Sequence, residues 1–592
     1  MALAAAGLFV HGLPAQSAAP NIIYTASGTF AQPALSGPDP LGLAGQPFSI
    51  NILADEALKP TQHNQSAAQY DNLWMYALTS STTIPGNPLE EPSNSLTLTL
   101  EVGASGEPDE MKISFPLLPY YGLNVTVTAK AKMPAGTITS TKIRPFTAPV
   151  ALMSEATVTY TGPYSTTTLA IASGALDTAP ETEPGLTPLY NFTGQNGDAL
   201  NPTTVLAVAP DGKLYGTTPT GGTYNFGAVF ELMPPSAPGE AWAETVIHSF
   251  TGSPDGAGPL AGLVIGKNGA LYGTANWGGT YDGGAVFQLK PPDSAGGSWT
   301  ETLIYNFTTS NDAGIFPAFV GLVMDDQGVL YGATSFAGEL DRGAIFALRP
   351  PTSAGGTWTE KTLYSFGALP DDAENPTGLV VGTGGVLYGT TQVGGPTGSG
   401  TVFQLIPPKL AGGSWAESFL YDFSGQNGDG SLPEGGVVIG KNGELYGTTE
   451  SGGASNRGAV FELTPPAVAG GAWSESILYS FTGENGDGSN PVAGLAMDDD
   501  GALYGTTLYG GAALFGTVYK LSPPSAPGTA WTETQLASLS DPLFGATPVA
   551  GLVFEHNGDL YGAMELGGDP FCANYGGMGC GTVFKMLPRS GR

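Results

Sequence analysis

Five acidic turns hold the residues best suited to chemistry in this sequence. They read GQNGDALNP from Gly194, GSPDGAGP from Gly252, GALPDDAENP from Gly367, GQNGDGSLP from Gly425 and GENGDGSNP from Gly483. Asp and Asn oxygens at alternate positions are the hard ligands that Ca²⁺ takes, roughly six to eight at a time. Most of these turns hold only one or two carboxylates, and Asn-Gly-Asp-Gly is equally the chemistry of a tight turn. The turn reading therefore stands ahead of the metal reading. The candidate ligand-face carboxylates are Asp198, Asp255, Asp312, Asp371, Asp429 and Asp487.

Other reactive side chains are few. There are four histidines, His11, His63, His248 and His556. His248 stands where other copies of its segment have Tyr or Ala, which makes it structural. No Ser/His/Asp order, metal-spaced His/Cys cluster or phosphate-cradling loop stands out. The many Gly-Gly pairs are turn glycines, because no helix follows them. Cys572 and Cys580 lie in one loop; a disulfide is the expectation for a secreted chain, and a metal site is the weaker alternative. Trp277 and Tyr281 are aromatics of a loop that do not recur in register, so they are candidates for contact with a ligand such as a glycan.

The segments that position these residues recur. A tyrosine in an LYG core returns at Tyr215, Tyr272, Tyr331, Tyr388, Tyr446, Tyr504 and Tyr561, at steps of 57, 59, 57, 58, 58 and 57 residues. Each period holds four short β-branched or aromatic runs separated by Gly, Pro, Asn and Asp. In one copy they are GLVIG, ALYGTA, AVFQLK and WTETLIYNF, from Gly262 to Phe307. The LYG tyrosine is followed 15 residues later by the aromatic of the third run, except 23 in the last copy, and a Trp comes 12 residues after that. The strict register of these tyrosines and tryptophans is what packing between repeats demands.

Four antiparallel strands repeated radially, with no helical period, predict a β-propeller. The first three runs occur seven times, and the fourth occurs six times with its Trp and once early, at Leu186 to Phe192. The fold class is thus all-β, a seven-bladed propeller over 186–592. The early strand is expected to complete the blade whose third strand is Thr582 to Leu587, leaving no free sheet edge. In such a blade the fourth-to-first and second-to-third connections share one face. That face carries the acidic turns and the 569–580 loop, and is the expected working surface.

Several phrases also carry a resemblance. LYGTT with its Gly-Gly (Leu387 to Gly395, Leu445 to Gly453), GxVFxLxPP (Gly458 to Pro466) and LYSFTG (Leu478 to Gly483) are similar to the GloVer tandem repeat over about residues 186 to 592. The resemblance implies a large bacterial extracellular protein, repeats paired with varying surface anchors, and no defined activity. The residues Met586 to Arg592 carry no apolar segment and basic tail of the kind an anchor uses. The turns before each Trp faintly resemble the Asp-box hairpins of sialidase propellers, but the box acid is replaced by Ser294, Ser353, Leu410 and Val468.

Composition bounds the rest. The chain has 592 residues, 89 Gly, 49 Pro and 41% hydrophobic residues, which suits a turn-rich β protein with a real core. Acids outnumber bases 51 to 19, and the net charge of -32 argues against nucleic acid or anionic membranes as partners. Residues 1–18 read as a secretory signal with its basic n-region missing, a buried N-terminal strand being the alternative. No later stretch is apolar enough to span a membrane. Residues 21–175 alternate apolar and polar positions, as at Ser95 to Glu101 and Leu123 to Thr128, and predict a β-sandwich. The Pro-rich acidic stretch 176–185 predicts a linker. The functional expectation is a secreted or cell-surface, non-catalytic binding or scaffold protein for a glycan, protein or cation, without a cofactor unless Ca²⁺. A polysaccharide-active lyase or hydrolase is the alternative.

Overall fold

The computed structural model divides the chain into two compact units, Met1–Thr182 and Glu183–Arg592. It describes the strands alone of residues 21–180. It describes residues 186–586 apart from 237–240, 295, 309–316, 318–320, 336–341, 354, 368–370, 411, 469, 525, 527–528, 540–544, 556–557, 569–571 and 573–578. The proposed signal, Asp312, His556 and most of the 569–580 loop lie outside the described residues.

In the first unit the predicted alternating runs form antiparallel strands. Asn21–Phe30, Pro47–Asp55, Ala67–Ser80, Leu96–Glu101, Asp109–Tyr120, Leu123–Met133, Thr157–Thr161 and Thr166–Pro180 pair in that order, and the last pairs back onto the first. Ala67–Ser80 and Thr166–Pro180 are long enough to pair with different neighbours along their two halves. The stretch expected to be a linker from residue 176 is strand as far as Pro180, where Leu176 faces Ala26 and Pro180 faces Ile22. Proline is tolerated there because it sits at the strand end.

The second unit contains seven four-stranded antiparallel sheets. One blade consists of Val264–Ile265, Leu271–Ala275, Ala285–Lys290 and Thr300–Asn306. The others repeat this order, and the fourth strand of the last blade is Leu186–Asn191, paired with Thr582–Met586. The ring therefore closes as the strand count required. A one-residue bulge recurs where the third and fourth strands meet, as at Val286/Phe287 and Val460/Phe461, and turns the outer strand sharply.

Packing confirms the ring. Among the described residues, the buried apolar side chains of the propeller fall into seven clusters, each spanning consecutive blades, and one of them joins Tyr561 and Val583 of the last blade to Leu214 and Phe230 of the first. Edge-to-face aromatic pairs run between blades: Phe192 on Phe230, Phe307 on Phe346 and Phe423 on Phe461 at 5.0–5.3 Å. The recurrent Trp meets the LYG tyrosine of the preceding blade, as Trp299 on Tyr215 and Trp531 on Tyr446. Each such pair contributes about 0.5–1.5 kcal/mol beyond area burial. The LYG glycine is obligatory because the third-strand aromatic crosses it; a Cβ on Gly273 or Gly447 would overlap the Phe287 or Phe461 ring.

A hydrogen-bond stitch holds the inner strands. The threonine after LYG donates to a carbonyl of the next blade: Thr217 to Ala261 at 2.9 Å, Thr390 to Gly435 at 3.0 Å, Thr448 to Ala493 at 2.9 Å and Thr506 to Ala550 at 3.3 Å. Next to these carbonyls the first strands converge. A Cβ on Gly262 would lie 2.9 Å from the Val205 carbonyl oxygen, one on Gly436 3.3 Å from the Gly378 Cα, and one on Gly551 3.2 Å from the Gly494 carbonyl oxygen. At that level the axis is walled by glycine main chain and by the Val205 side chain.

Candidate functional site

The fourth-to-first and second-to-third connections do share a face, and they pair there. Short ladders join Ala199–Leu200 to Thr220–Gly221, Gly256–Ala257 to Trp277–Gly278, Gly430–Ser431 to Ser451–Gly452, and Gly488–Ser489 to Tyr509–Gly510. The acidic turns are thus edges of small sheets.

Their aspartates point inward. Asp198 Oδ2 accepts the Thr193 N–H and hydroxyl, both at 2.7 Å, and its Oδ1 accepts the Ala199 N–H at 2.8 Å. Asp487 does the same with Thr482 and Gly488, and Asp429 with Ser424. Asp255 accepts from Thr251 and lies 3.5 Å from His248 Nε2. Burial acts to raise the Asp255 carboxyl, but the His248 and backbone contacts outweigh it and hold it below its ordinary value. His248 stacks edge-on against Phe250 and is structural, as the sequence suggested.

One residue of the expected set is displaced. Asp371 is exposed with φ +62°, whereas Asp372 is 6% exposed and accepts the Gly367 and Ala373 N–H groups and the Tyr364 hydroxyl. Counting six residues from the strand-ending Phe (Phe192, Phe366, Phe423, Phe481) reaches Asp198, Asp372, Asp429 and Asp487. Counting from the turn glycine slips by one in this copy. The aspartates are therefore turn staples whose oxygens are largely committed to the protein.

Sequence reasoning missed their neighbours. In all six copies a Glu follows two residues after the Trp, at Glu244, Glu301, Glu360, Glu417, Glu475 and Glu533. Burial first, and the Asp of the preceding turn second, push Glu244 up to about 8 and Glu301, Glu417, Glu475 and Glu533 up to about 7. Glu244, Glu301, Glu417 and Glu475 each keep a buried Oε1 without a hydrogen-bond partner. The recurrence of Trp-x-Glu was the available signal. Among the described residues, no group of three His, Cys, Asp or Glu is placed to hold a metal ion.

Two further features share the loop face. A polar cleft of about 540 Å³ is lined by Arg342, Asp371, Asp372 and Glu374, with Arg342 paired to Glu374. Nearer the axis, Glu434 accepts from Gln392 Nε2 at 2.6 Å, and burial and then Glu450 raise its carboxyl. Trp277 and Tyr281 are 48% and 62% exposed. Cys572 and Cys580 form the expected disulfide, with Cα atoms 5.7 Å apart, inside the cluster joining the last and first blades.

Comparison with known proteins gives the following. No curated protein matches the chain in sequence. Among solved structures, a glucose dehydrogenase is 16% identical with a TM-score of 0.34, covering 68% of this chain and 99% of that one. A luciferin-regenerating enzyme is 11% identical with a TM-score of 0.33, covering 68% and 96%. The Trypanosoma rangeli sialidase is 13% identical with a TM-score of 0.30, covering 68% and 60%. The model of the Gloeobacter/Verrucomicrobia repeat matches residues 164–403, 294–486 and 375–592. The chain, as its LYGTT and GxVFxLxPP phrases suggested, belongs to the Gloeobacter/Verrucomicrobia repeat family.

Proposed function

We propose that this protein is a secreted or cell-surface binding or scaffold protein that works without catalysis, its propeller presenting one loop face to an extracellular glycan or protein. The observation that carries this reading is the construction of that face. Its loops are laddered in pairs and pinned by aspartates that face inward, while the axis beside it is walled by glycine main chain and Val205. A rigid surface with few free reactive groups suits recognition better than turnover. A buried disulfide fits an oxidising compartment, and residues 1–18 are read as the export signal. The first unit is read as a β-sandwich that spaces the propeller. No helix among the described residues is long and apolar enough to cross a membrane. Ca²⁺ at the acidic turns is the one cofactor this reading leaves open.

A second reading has one observation of its own. Burial first and the charge of Glu450 second raise the Glu434 carboxyl, and a raised carboxyl that feels a second one is a candidate acid or base for a lyase or hydrolase. Incubating the whole protein with a panel of polysaccharides, with and without Ca²⁺, separates the readings. Binding with no new reducing or unsaturated ends supports the scaffold; product release abolished by Glu434→Gln would replace it with the enzyme.

A further inference from the structure

We propose that the loop face of the first two blades carries a stacking platform for a neutral carbohydrate, formed by Phe226, Trp277 and Tyr281 with Tyr224 beside them. This rests on the binding-protein reading and names its ligand class and site.

The recurrent tyrosines, tryptophans and phenylalanines of the blades are packed between neighbours, whereas Tyr224, Phe226, Trp277 and Tyr281 are 58%, 47%, 48% and 62% exposed. Two of them rest on glycine backbone. The Phe226 ring covers Gly252, where a Cβ would lie 3.5 Å from two ring atoms, and the Trp277 indole covers Gly258 so closely that a Cβ would overlap it. Each of these two rings is therefore supported from below and open above.

Their spacing is fixed by main-chain bonds through the turn between them. The Gly258 N–H donates to the Phe226 carbonyl at 2.8 Å, the Asn276 N–H donates to the Gly258 carbonyl at 3.2 Å, and Ala257 pairs with Trp277. Ser253 Oγ donates to the Gly279 carbonyl at 3.1 Å. Holding rings at set distances removes the ordering cost that mobile side chains would add to binding.

The chemistry around the rings selects the ligand. A pyranose offers a flat set of C–H groups to an aromatic face and directs its hydroxyls sideways. The exposed neighbours here are Thr223, Asn225, Thr280 and Asp282, which can exchange hydrogen bonds with hydroxyls. Residues 223–226, 252–258 and 277–282 contain no Lys or Arg, and the chain carries a net charge of -32, so an anionic glycan would be repelled. They also contain no Met or Arg, the residues that protein-protein interfaces enrich beside their aromatic anchors.

The test uses the full chain in affinity electrophoresis through gels holding neutral polysaccharides (glucans, mannans, xylans) or acidic ones, with tryptophan fluorescence as a second readout. At least one neutral polysaccharide should retard the protein. Trp277→Ala and Tyr281→Ala should each weaken this by about tenfold, Trp277→Phe should retain most of it, and Tyr509→Ala on the sixth blade should leave it unchanged. Circular dichroism and melting establish that each variant is folded. Neutral binding that survives both alanine variants would overturn the platform and leave the binding function standing. Retardation by acidic polysaccharides alone, or a protein partner that needs Trp277, would overturn the ligand class. Binding to nothing in either gel would count against both.

Discussion

Glu475, on the fourth strand of the fifth blade, is half-buried beside Asp429 of the preceding turn, and the buried atoms Glu475 Oε1 and Asp429 Oδ1 both lack a hydrogen-bond partner. Two carboxyls in one dry junction cannot both be charged cheaply, so the glutamate holds its proton to higher pH. The same junction recurs at Glu244, Glu301, Glu417 and Glu533.

The first prediction is that the propeller is more stable in acid. A carboxyl whose folded pKa lies above its unfolded value of about 4.5 contributes stability that is complete below that value. That contribution is lost as pH rises through the folded value, here about 7 for four glutamates and about 8 for Glu244. Asp255 and Glu444 are lowered and act in the opposite sense, but they are outnumbered. The melting temperature should fall steadily between pH 5 and about 8.5. Glu475→Gln should raise it at the alkaline end and not at the acid end. Asp282→Asn, which removes an equal charge from an exposed turn, is the control; an equal gain from both would reduce the effect to general charge repulsion.

The second prediction concerns closure. Phe192 is fully buried against Phe230 of the first blade, so Phe192→Ala should cost about 3–5 kcal/mol in denaturant unfolding. Deleting 186–192 should go further, baring the edge of Thr582–Met586 and causing aggregation. A deletion variant that stays monomeric and melts like the parent would mean that the last blade tolerates three strands.

The third prediction isolates the inter-blade stitch. Thr448→Val keeps the shape but leaves the Ala493 carbonyl without its donor, and should cost about 1–3 kcal/mol. Thr448→Ser should recover much of it. Equal unfolding curves for Val and Ser would show that the hydroxyl contributes nothing.

These junctions mark what the chain made legible and what it did not. The tyrosine period, the Trp spacing and the orphan strand at Leu186 gave blade number and closure, because packing between identical neighbours forces each ring into one register. The direction of an aspartate is not periodic information. Asn-Gly-Asp-Gly looks the same whether its carboxyl faces solvent or folds back on the Thr two residues before Gln195, as Asp198 does. Counting from the turn glycine reaches Asp371 and not Asp372 because Gly367 follows its Phe by one residue where Gly194, Gly425 and Gly483 follow theirs by two, while the distance from Phe366 to Asp372 is unchanged. That Leu176–Pro180 pairs with Asn21–Phe30 was not legible, because composition reports polarity and strand pairing is a long-range fact.

The fourth prediction follows for the disulfide. Cys572 and Cys580 are 2% and 0% exposed, within the cluster that joins the last blade to the first. The closed loop is short, so reduction should lower stability by only about 2–3 kcal/mol on the chain-entropy estimate. Burial should make both sulfurs slow to react with a bulky alkylating reagent until reductant is added. Immediate labelling of two thiols in the native protein would show that the bond is not formed.

The last prediction tests the aspartate staples themselves. If Asp487 exists to order its turn, its value lies in accepting from the Thr482 N–H and hydroxyl and the Gly488 N–H. Asn keeps one acceptor oxygen and loses the charge that strengthens these bonds, so Asp487→Asn should cost less than Asp487→Ala. The alanine variant should lose about 1–3 kcal/mol by leaving the donors unmatched. Thr482→Val, which removes only the hydroxyl, should fall between the parent and Asp487→Ala. A ligand-facing role predicts a different order: all Asp487 variants equally stable, with Ca²⁺ raising the melting temperature of the parent alone. Melting the parent and these variants with millimolar Ca²⁺ and with chelator therefore decides between a carboxylate that holds the loop and one that waits for a cation.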